Sequence, residues 1–316
     1  MKHILSLLVA GFCISAASAQ QQAPTVFTSD VDNFWNAYDS IRSTNDSLKQ
    51  LEYLNKLYIE KGTPGLAGFR KVKNYTDTYY LKVIRNYPKF WNSIRGNTYK
   101  VKTLAPQFGP SIAKLKKLYP ELKPAQIYFT IGALRSGGTT KDSMVLIGSE
   151  MLTGDSTIDI SEFSPGMQKF LGNYFKTNPI KSAVLLNIHE YVHTQQRCYG
   201  YNLLSQAICE GACDFITELV TGQKIPLPYM EYGPKNDQAI RERFKSEMLS
   251  PSWDNWLYNS ASENTPVSDL GYYVGYTICK SYYNKQKDKP KAIREIIELN
   301  YGDSTAVTNF FKQSGY

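Results

Sequence analysis

Over the first third of the chain the apolar positions recur at a helical period. Phe34, Trp35, Tyr38 and Ile41 share one face, and Leu48, Leu51, Leu54 and Tyr58 share another. Tyr79, Tyr80, Val83 and Ile84 continue the pattern, and Ile112, Leu115 and Leu118 close it. The spacing predicts helices from Asp30 to about Pro120, after a loose lead-in over 20–28. The period then shortens. Residues 127–131 are a β-rich run, 135–140 read as a Gly-containing loop, and 144–147 read as a second strand, paired as a hairpin or lying alongside. Helical spacing resumes at Pro179, with Asn178 as its N-cap, and runs to about Gln196. The next helix covers about 205–220 and stops at Gly222. Further helices are expected near 236–249, 268–285, 289–299 and 303–313. The fold class is therefore α+β, mainly α, with a small antiparallel or mixed sheet and a helical N-terminal part.

Composition narrows the function classes. With 42% hydrophobic residues and 24 tyrosines among 316, the chain can bury a core and is not a disordered protein. The net charge is +8, but Lys and Arg are scattered, which argues against a nucleic-acid partner. Residues 1–19 read as a secretory signal: Lys2 and His3, an apolar run over 4–14, and Ala17-Ser18-Ala19 as cleavage site. A periplasmic or secreted chain starting near Gln20 is expected. Phe12 stands before Cys13, where lipid attachment wants a small residue, so no anchor is expected there. No later apolar run is long enough to span a bilayer. Beyond the signal lie Cys198, Cys209, Cys213 and Cys279. Two disulfides and four free thiols both remain open, and Cys209 and Cys213, four apart on a helix, are not expected to bond each other.

The sharpest motif is His189-Glu190-Tyr191-Val192-His193. Residues four apart share a helix face, so both imidazoles can reach one metal ion. Beyond the signal these two are the chain's remaining histidines, which makes an accidental spacing improbable. Zinc takes such nitrogen ligands, and Glu190 beside the first of them suits a general base acting on water. Glu210, 17 residues after His193, is the expected third ligand, with Glu218 as fallback. Asp214 lies one turn after Glu210 and suits a hydrogen bond from the far nitrogen of a ligand histidine. Gly211 and Ala212 are small enough for close helix approach.

At these residues the chain resembles the gluzincin metallopeptidases, whose pattern is HExxH followed by ExxxD. More narrowly it is similar to predicted zinc-dependent proteases akin to the gliding-motility lipoprotein B group. Ile147-Gly148, Gly271-Tyr272-Tyr273-Val274-Gly275-Tyr276 and the ending Phe310-Phe311-Lys312-Gln313-Ser314-Gly315-Tyr316 carry the narrower likeness. The resemblance covers about 125–316. It implies a zincin-like domain there, with His189, His193 and Glu210 as Zn2+ ligands, Glu190 as catalytic base and Asp214 supporting a ligand. Residues 20–124 would then be a helical region packed on the catalytic part. Two departures stand out: Gln195 and Gln196 follow the motif where apolar residues are usual, and no third histidine remains to steady a transition state. Tyr272, with Tyr273 and Tyr276 as alternates, is the candidate for that work; the other reading of this segment is helix packing at Gly271 and Gly275.

The leading expectation is an exported zinc peptidase acting on a peptide or protein substrate, which could add as a strand along 144–147 or 127–131. The alternative is a non-catalytic zinc-binding envelope protein of the gliding-motility lipoprotein type. Neither substrate specificity nor oligomeric state is legible.

Overall fold

The computed structural model describes residues 26–259 and 267–316. The expected signal segment lies outside them. A short strand, β1 (Val26–Phe27), leads into helices α1 (Ser29–Arg42) and α2 (Ser47–Leu54), the latter prolonged by a π turn over Asn55–Ile59. There follow α3 (Pro64–Lys73), α4 (Asp77–Asn86), α5 (Pro88–Thr98), α6 (Val101–Leu104) and α7 (Phe108–Leu118). The sheet is completed by β2 (Gln126–Thr130), β3 (Gly138–Lys141) and β4 (Met144–Gly148). The remainder is helical: α8 (Ser149–Leu152), α9 (Pro165–Lys176), α10 (Ala183–His193), α11 (Leu203–Thr221), α12 (Pro228–Tyr232), α13 (Asp237–Glu247), α14 (Leu270–Lys285), α15 (Lys289–Ile297) and α16 (Ser304–Ser314). The protein is mainly helical with one small mixed sheet.

The N-terminal helices close on an aromatic cluster. Phe34, Trp35, Tyr58 and Trp91 are buried and meet at edge or tilted angles, the favoured geometry for ring pairs. The polar ends are satisfied locally: Trp35 Nε1 donates to Thr98 Oγ1 at 2.9 Å. Buried Asp30 accepts from the backbone N–H and hydroxyl of Thr63, at 2.8 and 2.6 Å, while Thr63 caps α3. This ties the start of α1 to the start of α3.

The sheet order is β1-β2-β4-β3, with β2 parallel to both β1 and β4 and β3 antiparallel to β4. The two apolar runs are therefore adjacent parallel strands. Each is buried along most of its length, which is why neither shows an alternating pattern. Two expectations are corrected here. Val26–Phe27 is not loose lead-in but an edge strand stacked, Phe27 on Tyr128, at 4.6 Å between ring centroids. Part of the expected 135–140 loop is strand: Gly138–Lys141 pairs with β4 through a tight turn in which Asp142 takes φ +53°. The β-branched Thr139 and Thr140 suit that role, and the paired glycines hid it. Consequently 144–147 lies between two strands and 127–128 is paired on both sides, while among the described residues β3 is the outer strand on the side of the histidines.

The helix bearing the histidines also starts and stops differently. Asn178 takes φ +52° and makes no side-chain cap; Pro179–Ser182 is a 3₁₀ turn, and α10 proper begins at Ala183. It ends at His193, not Gln196, because Thr194, Gln195 and Gln196 bond back three residues rather than four. That tighter exit turns Gln196 back toward the helix. Against α10 packs α11, and α11 packs in turn on α14. A Cβ on Gly275 would fall on the Ala207 carbonyl, and one on Gly211 on the Tyr276 backbone. The two backbones touch there, so Gly275 is a close-approach residue.

Candidate metal centre

His189 and His193 occupy successive turns of α10 and face Glu210 of α11. The Nε2 atoms lie 3.6 and 3.1 Å from one oxygen, Glu210 Oε2. His189 and Glu210 are 9% and 6% exposed, so the cluster sits at the edge of the core. The far side of each ring is fixed. His189 Nδ1 donates to Asp214 Oδ1 at 2.7 Å, and Asp214 in turn accepts from the Tyr229 hydroxyl at 3.0 Å. His193 Nδ1 donates to Gln196 Oε1 at 2.9 Å. Each ring thereby carries a proton on Nδ1 and turns its Nε2 to the carboxylate.

The electrostatics follow from burial and pairing. Burial opposes a proton on His189, yet the hydrogen bonds to Asp214 and Glu210 hold its pKa well above the ordinary value. Burial opposes the Glu210 charge too, but the two histidines hold its pKa well below the carboxylate range. Burial raises Asp214 against the pull of His189. Two imidazoles and a carboxylate that stays charged form the composition of a zinc site, and the protons that pair them now are the ones a dication would replace.

Glu190, the motif's middle acid, is turned toward the sheet. A Cβ on Gly138 would lie 3.2 Å from Glu190 Oε1, so the carboxylate stands against the start of the edge strand β3. Tyr272 lies with its ring 6.2 Å from that of His189 and 5.4 Å from that of Tyr229. Its alternates point elsewhere: Tyr273 donates to Asp237 and Tyr276 to Glu218. The fallback ligand Glu218 is corrected: it pairs with Lys280 at 3.0 Å, away from the histidines. A groove of about 470 Å³ lined by Lys114, Lys181 and Val220 contains none of the histidines or carboxylates of this centre.

Three participants were missed in the sequence. Tyr258 donates to Glu210 Oε1 at 2.5 Å, engaging the oxygen that the histidines leave free. Nothing in the local sequence marks it, since it reaches Glu210 from 48 positions away. Gln196 is the second, its signal being only a polar residue where an apolar one was usual. Lys73, the last residue of α3, is the third; burial lowers its pKa, against the attraction of Glu190 and Glu210. The cysteines resolve as one disulfide, Cys198–Cys209, with Cys213 and Cys279 free and buried.

Among the described residues no helix is long and apolar enough to cross a membrane. No curated protein and no solved structure matches the chain. The family model described as gliding motility protein GldB matches residues 18–246. That span includes the N-terminal helices as well as His189, Glu190, His193, Glu210 and Asp214, while Tyr258 and Tyr272 fall beyond it. Matched over more than half its length, the chain belongs to the gliding motility protein GldB family, a lipoprotein family.

Proposed function

We propose that this chain is an exported zinc-binding member of the gliding-motility lipoprotein family, its ion held by His189, His193 and Glu210 in a zincin-like domain. The observation that carries the reading is the meeting of both Nε2 atoms at Glu210 Oε2, 3.1 and 3.6 Å away. Asp214 and Gln196 orient the two rings, and Tyr258 engages the second oxygen of Glu210, leaving Oε2 to the ion. The site binds α10 to α11, so an ion there would brace the two helices and serve the envelope role of the family without turnover. Zinc per chain in the purified protein after exhaustive dialysis tests this. A value near one is expected; a value near zero that persists after zinc is offered would overturn it.

A second reading, zinc-dependent peptide hydrolysis, is favoured by Glu190 beside the free strand edge. An extended peptide laid along β3 would present its carbonyl near that carboxylate. When bound, zinc supplies Lewis acidity toward a carbonyl and lowers the pKa of a water. Glu190 would take the water's proton and return it to the leaving amine. Tyr272, packed beside His189, is the residue to steady developing charge. Cleavage of unstructured peptides, lost with a chelator and restored by zinc, separates this reading from the first.

A further inference from the structure

Gln196 Oε1 stands among a second group of candidate ligand atoms. Besides His193 Nδ1 at 2.9 Å, three sulfurs surround it: Cys213 Sγ at 3.2 Å, and Cys198 and Cys209 Sγ at 3.5 Å each. One amide oxygen thus stands where one imidazole nitrogen and three sulfurs converge. The donor atoms of His193, Cys198 and Cys209 all lie within 4.8 Å of one another, as do those of His189, His193 and Cys213. Three cysteines and a histidine are a recurrent set for zinc and other thiophilic cations. The metal centre described above uses none of these sulfurs.

As a disulfide, Cys198 and Cys209 cannot ligate. We propose that after reduction by a dithiol, Cys198, Cys209, Cys213 and His193 Nδ1 hold a soft d10 cation at the place where the Gln196 side chain now sits. The dithiol gives up two electrons and two protons and closes to its own disulfide; the Cys198–Cys209 bond opens to two thiols. On binding the cation, the three thiols lose their protons to solvent and Gln196 swings aside.

The placement of the residues makes this more than a cluster of cysteines. Cys209 and Cys213 are successive turns of α11, on either side of Glu210, so two of the sulfurs are held by the helix that carries the carboxylate. Cys198 comes from the connection between α10 and α11, tied across by the disulfide. A neutral imidazole has one lone pair. If His193 offers it at Nδ1, its Nε2 carries the proton and no longer serves a cation beside Glu210. The oxidised chain therefore presents the two-histidine, one-carboxylate set, and the reduced chain presents the sulfur set. His193 can join only one at a time.

The inference rests on the proposed zinc centre only through His193, and its test is separate. Full-length protein, with its disulfide intact or opened by dithiothreitol and desalted without oxygen, is titrated with cadmium as the probe. The reduced protein is expected to develop an ultraviolet thiolate-to-cadmium band that saturates at one equivalent, with its near-ultraviolet circular dichroism kept. The oxidised protein should show none. Cys213→Ala should lose about a third of the band, one thiolate of three, and Cys279→Ala none of it. No band in the reduced protein, a band untouched by Cys213→Ala, or a band that forms only with loss of the near-ultraviolet signal would each overturn the proposal. Zinc retained by the oxidised protein alongside any of those results would leave the metal centre standing without it.

Discussion

Asp214 Oδ1 lies 2.7 Å from His189 Nδ1, on the side of the ring opposite the nitrogen that faces Glu210. The carboxylate is 1% exposed and takes a further hydrogen bond from Tyr229, so it has little freedom to follow the ring if the ring moves. Removing its charge while keeping its shape isolates its effect on the metal. Asp214→Asn is expected to lower zinc affinity about 10- to 100-fold, measured by competition with a chelating dye. Unchanged affinity would mean that the hydrogen bond does not orient the ring.

The ligand set itself gives a sharper outcome. His193→Ala or Glu210→Gln should reduce bound zinc to near zero, whereas Glu218→Gln should leave it near one per chain. Glu218 is engaged by Lys280 and Tyr276, about two turns further along α11 than Glu210. Elemental analysis of the three variants decides between Glu210 and Glu218 directly.

That choice also marks how far the sequence could be read. The pairs His189/His193 and Glu210/Asp214 are each four apart, and helix geometry alone puts each pair on one face. The apolar character of α11 then told that carboxylates on it need partners. Gln196 was not legible, because its role depends on α10 ending in a tight turn that swings it back. Tyr258 was not legible because its contact with Glu210 is long-range. The edge strand was hidden for another reason: Gly137-Gly138 is a strong turn signal, and only pairing with Met144–Ile147 makes the second glycine and its neighbours a strand. The parallel pairing of β2 and β4 likewise depends on β3 taking the outer place.

Glu190 separates binding from turnover. Glu190→Gln keeps the side chain's size and leaves His189, His193 and Glu210 untouched. It is expected to retain zinc and to abolish any peptide cleavage that the native chain displays. Cleavage surviving in the variant would remove Glu190 as the base, and zinc lost from it would make Glu190 part of the binding set.

The crossing of α11 and α14 carries a stability prediction. A Cβ on Gly275 would collide with the carbonyl of Ala207, which is backbone and cannot rotate away. Gly275→Ala is expected to destabilise the fold by about 3 kcal/mol or more, read from urea unfolding. Gly166→Ala is the control, since a Cβ there meets nothing within 4 Å. Equal stability of the two variants would show that the helices can part at little cost.

Glu150 gives the chain a pH dependence of defined sign. It is fully buried just after β4, where it accepts from the N–H groups of Gly132 and Leu134, at 2.9 and 3.2 Å. Those bonds hold the loop that leads into β3, with Leu134 at φ +64°. Burial outweighs them and raises the carboxyl pKa from 4.5 to about 7. Between those values the folded chain keeps a proton that the unfolded chain has released. Stability is therefore greatest below the unfolded pKa and falls as pH rises toward the folded one, by about 3 kcal/mol in all. Glu150→Gln cannot titrate and lacks this contribution, while every other group changes alike in both proteins. The stability of native protein relative to the variant should thus drop by about 3 kcal/mol between about pH 4.5 and about pH 8, measured by denaturant unfolding at each pH. Parallel curves for the two proteins would mean that Glu150 ionises in the fold as readily as in water.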